Sequence, residues 1–350
     1  MENVNNLLQD GSLKSVDMSE NLKLYHLKDD TVKGIITDHN ENKIIGNFSI
    51  PLEYVISKDT TETLNFPLEV FEAIEGTLIR VFYYKENWNI STNSRIDAYV
   101  SYWSGRSSFG NQFEDYVVSI TGTPLDVFLM SLDTNKKYFF ILPTTGINRI
   151  GKKFVQDEPK LIYLVGVEDE NGNLQCGSSL STEEKNAWLY LNKYTLNNVS
   201  ELVNLVENQK INVIRYENDK LYKYVSTEYD EYCKLRNNEP NIVYRYIELL
   251  KTDQENAKKL REFYPEFKFD MAIDKRIAII TNYIHSNYIS RYVKKEYVLL
   301  PKIFFSVMKK CHQHYLDTRE RITLEKVKKI IFEQDTKLIV TLIRNHSWMK

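Results

Sequence analysis

EAIEGTLIRVFYYKENWNISTNSRIDA, residues 72–98, is the stretch whose reading decides the fold. GTLIRVFYY (76–84) and NWNISTN (87–93) are rich in β-branched and aromatic residues, and only Lys85 and Glu86 separate them, which predicts a tight hairpin. Glu75-Gly76, taken alone, reads as a strand opening after a loop. The same pattern continues outward on both sides. GIITD (34–38) and KIIGNFSI (43–50) flank the turn-prone HNEN, KYFFILP (137–143) and KLIYLVGV (160–167) are two further strands, and NVIRYEN with KLYKYVS (212–226) is another pair. Residues 1–20 carry few large apolar residues and are expected to be a flexible leader.

The period then changes. Ser181 to Asn208 reads as one helix, opened by Ser181 or Thr182 with Glu183 and Glu184 in its first turn. Ile273, Ile277, Ile280, Ile284 and Tyr288 recur every three or four residues, as do Phe304, Met308, Cys311 and Tyr315, and Ile322 to Val340 is a third helical candidate. Strands followed by helices define an α+β class. For a chain of 350 residues this suggests two domains, a sheet-rich body over 21–250 and a helical domain over 251–350. The charge follows the same division. Residues 251–350 hold 21 Lys/Arg against 12 Asp/Glu, a formal +9, and the first 250 hold 25 against 36, or −11, although the whole chain sums to −2. An acidic body joined to a basic region is a cue for an anionic partner.

The residues after Glu72 also carry a resemblance. Ala73-Ile74-Glu75-Gly76-Thr77-Leu78-Ile79 is similar to the first motif of the covalent nucleotidyltransferases, Lys-x-Asp-Gly-[Ser/Thr]-Leu-[Ile/Val], in RNA ligases of the bacteriophage type and their relatives in large DNA viruses. Ala73 stands where that family has its lysine nucleophile. Asn148-Arg149-Ile150 resembles the end of the third motif, whose strand here carries Phe139, Phe140 and Ile141 in place of an acidic residue. Ile211-Asn212-Val213-Ile214 is the counterpart of the fourth without its Glu. Lys223-Tyr224-Val225-Ser226 resembles the fifth with one lysine of two, and the matches run in order from about residue 32 to residue 266. The resemblance implies an antiparallel-sheet, nucleotidyltransferase-like (ATP-grasp-like ligase) domain followed by an all-helical domain. It also implies RNA as partner, and ATP with Mg²⁺ as cofactors if the protein is active.

Lysine catalysis needs an amine beside the α-phosphate, and alanine supplies none; Lys85, in the hairpin turn, is about nine residues away along a strand rising ~3.3 Å per residue. No catalytic residue is therefore assigned. Glu75, Gly76, Arg80, Arg95, Arg149 and Lys223 are the candidates for nucleotide or RNA contact, because phosphates call for cations on rigid strands, with ordinary surface charge as the alternative. Lys294, Lys295, Lys309, Lys310, Lys328 and Lys329 form a basic footprint for nucleic-acid backbone, or else a solvated face. Trp88 and Trp103 are either base-stacking groups or core aromatics. Cys311, His312 and His314 lack the helical spacing a zinc site requires, so no metal is assigned. His285 and Arg291 read as solvated helix surface.

Walker, Rossmann, GxSxG and HExxH patterns are absent. Three widely spaced cysteines, no secretory apolar core and no run of the ~20 apolar residues that spans a bilayer point to a reducing compartment, the cytoplasm or a virion, with no membrane partner. Three functions fit these residues: a catalytically degenerate ligase-like protein that binds RNA and a nucleotide, an active ATP-dependent RNA ligase with a displaced lysine, and a structural or scaffold protein of a large DNA virus.

Overall fold

The computed structural model describes Leu7 and residues 12–29, 33–40, 42–45, 52–56, 64–104, 107–151, 159–181, 189–217 and 220–345. Four strands, β1 (Leu13–Met18), β2 (Leu22–Leu27), β3 (Lys33–Asp38) and β4 (Lys43–Ile45), form an antiparallel sheet in that order. Ten more follow: β5 (Leu52–Ile56), β6 (Leu68–Glu72), β7 (Gly76–Tyr84), β8 (Asn87–Thr92), β9 (Lys137–Pro143), β10 (Tyr163–Glu168), β11 (Leu174–Cys176), β12 (Lys193–Leu196), β13 (Val213–Glu217) and β14 (Lys220–Ser226). They make two five-stranded sheets, ordered β11-β10-β9-β7-β8 and β12-β6-β13-β14-β5. All pairs are antiparallel except β14 with β5. The class is α+β, built on antiparallel sheets with a helical C-terminal region.

β7 shows why its sequence is a nearly unbroken apolar run. Strand side chains alternate between faces, and both faces of this strand are covered. Ile79 and Val81 point into a core with Phe113 and Val117 of α1 (Phe109–Thr121) and Phe128 of α2 (Leu125–Met130). Leu78 and Phe82 enter a second core with Leu22, Leu24 and Ile36 of the first sheet. A strand buried on both sides reads as continuous hydrophobicity. Its turn to β8 holds Lys85 at φ 48° and Glu86 at φ 62°, the two left-handed residues a tight hairpin turn requires.

Three expectations are corrected. Residues 13–18, assigned to a flexible leader, are strand β1, paired with β2 from Leu13↔Leu27 to Met18↔Lys23; of the rest of the leader, only Leu7, Ser12, Ser19 and Glu20 are among the described residues. Ser181–Asn208 is not one helix. Residues 193–196 pair with β6, and helix α3 (Val199–Val203) begins only at Asn198, whose side chain caps Glu201 N–H; residues 182–188 lie outside the description. Apolar residues at 194 and 196 fit a strand face as well as a helix face, and the open edge of β6 decides between them. Ile322–Val340 is two helices, because Asp335 caps a new one and ends continuity with the first.

The chain forms two compact units, Met1–Cys233 and Lys234–Lys350, dividing inside helix α4 (Thr227–Arg236). The second unit contains α5 (Ile242–Thr252), α6 (Gln254–Phe263), α7 (Lys275–Tyr288), α8 (Lys302–Thr318), α9 (Leu324–Phe332) and α10 (Thr336–Arg344). Ile273, Ile277, Ile280, Ile284 and Tyr288 are all buried, as are Phe304, Met308 and Cys311, so the expected apolar stripes are the faces that build this core. Tyr315, the last member of the second stripe, is 36% exposed.

Candidate functional site

The segments that resemble the first, third and fifth motifs converge in the first unit. Residues 73–75 connect β6 to β7, so the start of β7 is tied to two sheets: Ala73 N–H donates to the Asn212 carbonyl at 2.8 Å, and Thr144 N–H to the Glu75 carbonyl at 2.9 Å. Gly76 lies opposite Pro143 on β9, where an added Cβ would sit 2.3 Å from the Leu142 carbonyl oxygen. Glycine is required there by close backbone approach rather than by its dihedral freedom.

The Glu75 carboxylate accepts the backbone N–H groups of Ile150 and Gly151, the latter at 2.8 Å. It therefore anchors the loop after Asn148-Arg149 to the strand opening. A Cβ at Gly151 would lie 2.6 Å from the Tyr229 ring, so this loop also packs closely on α4. Lys223 Nζ on β14 reaches the Tyr229 hydroxyl at 3.1 Å and the Glu53 carboxylate at 2.8 Å, Glu53 being its direct register partner on β5. Burial first, and next the nearby Glu75 carboxylate, hold the Tyr229 phenol well above its ordinary value of 10.0.

A cleft of about 290 Å³ opens at this junction, lined by Ala73, Glu75, Tyr163, Lys210, Asn212 and Tyr229 among others. Its size is near the lower end for small-molecule pockets. Among the described residues Lys210 is the cation that lines it. The residue has φ 60° at the end of a helical turn, and its amine pairs with Glu228 at 3.2 Å and Glu207 at 3.7 Å. Among the described residues no group of three or more His, Cys, Asp or Glu could hold a metal ion.

The remaining candidate cations of this unit lie elsewhere. Arg80 shares the inward face of Leu78 and Phe82; it is fully buried, and its guanidinium donates to the Gly34 and Thr92 carbonyls. Desolvation lowers its pKa. Arg149 is also fully buried and donates to the Gly146 carbonyl at 2.9 Å within its own loop. Arg95 pairs with Asp17 of β1 at 3.1 Å. None of the three lines the cleft. Trp88 packs against the β7 core, edge-on to Tyr83 at 5.3 Å, and the Trp103 indole nitrogen is buried with no hydrogen-bond partner among the described residues. Lys210 is not among the sequence candidates; it directly precedes the segment that resembles the fourth motif, and that adjacency is the only local signal for it.

In the second unit the six lysines lie on different elements. Lys309 lies over the Phe305 ring at 5.0 Å, and Lys295 is close enough to lower the His312 pKa, after burial. Lys310 bonds to the Gln334 side chain. Lys328 and Lys329 instead line a separate groove of about 910 Å³ with Tyr246 and Ile277. Lys294 and Lys295 are exposed after α7. His285 bonds to the Ile322 carbonyl at 3.1 Å.

No family model matches the chain. It is 26% identical over 360 residues to the immediate-early protein ICP-46 homolog of Invertebrate iridescent virus 6, covering 89% of this chain and 76% of that protein. It is 24% identical over 343 residues to the protein of the same description from Invertebrate iridescent virus 3, covering 90% and 74%. Among solved structures it is similar to an archaeal ATP-dependent RNA ligase, at 13% identity and a TM-score of 0.42, with 78% of this chain and 72% of that chain covered. No helix among the described residues is long and apolar enough to cross a membrane.

Proposed function

We propose that the protein is a ligase-like viral protein that binds RNA and a nucleotide without forming a lysyl-adenylate. The observation that carries this reading is Ala73 on the wall of the cleft where Glu75, Gly76 and the Asn148–Gly151 loop meet. A strand opening of Glu-Gly, tied by its carboxylate to the loop that follows Asn-Arg-Ile, keeps the framework of a nucleotidyltransferase site. The position of its nucleophile is a methyl group. Lys210 on the cleft wall and Lys223 behind Tyr229 are the cations for phosphate, and the Tyr163 and Tyr229 rings are the surfaces for a base. The viral source of both relatives supports action in the host cytoplasm or the virion.

The test is incubation of the purified protein with α-labelled ATP and Mg²⁺, alongside direct measurement of nucleotide binding. Saturable binding with no acid-stable labelled protein is expected. A labelled adduct overturns the degenerate reading, and absence of binding overturns the nucleotide site. Lys210 favours a second reading, an active RNA ligase with a displaced lysine, because its amine lines the same cleft as Ala73. That reading requires the adduct, and requires Lys210→Ala to abolish it.

A further inference from the structure

The helix α8 carries a stripe that its buried face does not explain. Phe305, Lys309, His312, Tyr315 and Arg319 are spaced four, three, three and four residues apart, so they line one side of the helix, adjoining the buried Phe304, Val307, Met308 and Cys311. Rings and cations alternate along it. Lys309 lies 5.0 Å from the Phe305 ring centre, and Arg319 lies 5.9 Å from that of Tyr315. A wide helical turn, Ile289–Val293, extends α7 and adds two more groups. Tyr292 stacks on His312 at 3.8 Å and 14°, and Arg291 sits 5.0 Å from Phe305. The Tyr315 ring lies 6.1 Å from that of His312 at an interplanar angle of 19°, so His312 is nearly parallel to both tyrosines, and Tyr315 is 36% exposed.

We infer that this ring-and-cation face of α7 and α8 binds single-stranded nucleic acid, its bases stacking on the Tyr292–His312–Tyr315 ladder and its phosphates meeting Arg291, Lys309 and Arg319. The inference rests on the RNA-binding reading above and names the form of nucleic acid and the surface. Nearly parallel rings accept any base, because every base has a π-face, whereas a duplex keeps its base faces stacked inside. From Phe305 to Arg319 the helix rises about 21 Å, the scale of a short single-strand site. Lys294 and Lys295 are exposed at the end of the α7 extension and add to the same sign of charge. The neighbouring Glu320 is paired with Lys326 at 2.6 Å. Clustered cations favour a polyanion, and parallel rings favour a polyanion with planar groups over an acidic polypeptide.

Fluorescence anisotropy on the full chain tests it, with labelled short oligouridine, oligothymidine and an RNA duplex of equal length as probes. Both single strands are expected to bind more tightly than the duplex, and the tighter of the two identifies RNA or DNA as the natural ligand class. Tyr315→Ala is expected to weaken single-strand binding by about fivefold to a hundredfold, Tyr315→Phe to keep it, and Lys309→Gln to lower the salt slope by about one. Equal affinity for the duplex, an unchanged Tyr315→Ala, or displacement by polyglutamate as effective as by oligouridine overturns the inference. Loss of RNA binding in Lys223→Ala with Tyr315→Ala unaffected also overturns it, yet leaves the RNA-binding reading standing; no RNA binding by the wild type overturns both.

Discussion

The Glu75 carboxylate accepts the Gly151 backbone N–H at 2.8 Å across 76 residues of sequence, and with its other oxygen it accepts that of Ile150. This one side chain joins the opening of β7 to the loop that carries Asn148-Arg149-Ile150. In Glu75→Ala both amides lose their acceptor, and each unmet amide costs about 1–3 kcal/mol where water cannot replace it. Glu75→Gln keeps one accepting oxygen. Urea denaturation should show the larger loss for alanine, and equal losses would refute a capping role.

Gly76→Ala is expected to be among the most damaging small substitutions in the chain. The new Cβ would meet backbone, the Leu142 carbonyl at 2.3 Å, so β7 and β9 must separate to admit it. The cost is about 1–3 kcal/mol or more. Gly122→Ala is the comparison: it has φ 68° and nothing within 4 Å of the added carbon, so only the left-handed strain of about 1–2 kcal/mol applies. Thermal denaturation of the two variants should rank Gly76→Ala as the less stable.

Arg80→Ala should destabilise the protein by about 3 kcal/mol or more, because it opens a cavity and strands the Gly34 and Thr92 carbonyls in the core. Since Arg80 is buried and does not line the cleft, nucleotide affinity of the folded protein should not change. A selective loss of affinity with unchanged stability would show that Arg80 reaches phosphate after all. Lys210→Ala should do the reverse, lowering nucleotide affinity by about fivefold with little effect on the denaturation midpoint, as expected for one exposed charge–phosphate contact.

Alkaline pH should destabilise the fold. Burial pushes the Cys311 thiol from its ordinary 9.0 up to about 12, and Cys233 moves by the same cause to about 12. A raised folded value means that between these limits the native state holds a proton the unfolded chain has released. Stability is then complete below about pH 9 and falls as pH rises toward 12, by up to about 1.4 kcal/mol per pH unit for each fully shifted group. Urea midpoints measured from pH 8 to pH 11 test the direction, and Cys311→Ala should flatten the fall.

Much of the fold was legible because its signals are local. The Lys85-Glu86 turn between two apolar runs, the ring-rich strands 137–143 and 213–226, and the three-and-four spacing of Ile273 to Tyr288 each follow from the periodicity of a single element. Strand β12 was not legible, because its residues suit either periodicity and only the edge of β6 selects the strand. The apolar stripe Phe304, Met308 and Cys311 could be read from spacing, whereas the ladder beside it on α8 depends on Tyr292, which arrives from a different helical segment.

By itself the sequence determined the α+β class, the hairpin at 76–93, the charge asymmetry and the presence of alanine at position 73, since each is a property of neighbouring residues or of counts. Only the tertiary structure decided which charges are available. Arg80 and Arg149 look like their exposed counterparts in sequence, but strand alternation and loop packing turn both inward, where backbone carbonyls take their hydrogen bonds. Lys210, distant in sequence and unremarkable there, comes to the cleft because β6 and β13 are paired, and pairing between strands is a long-range fact that no local pattern encodes.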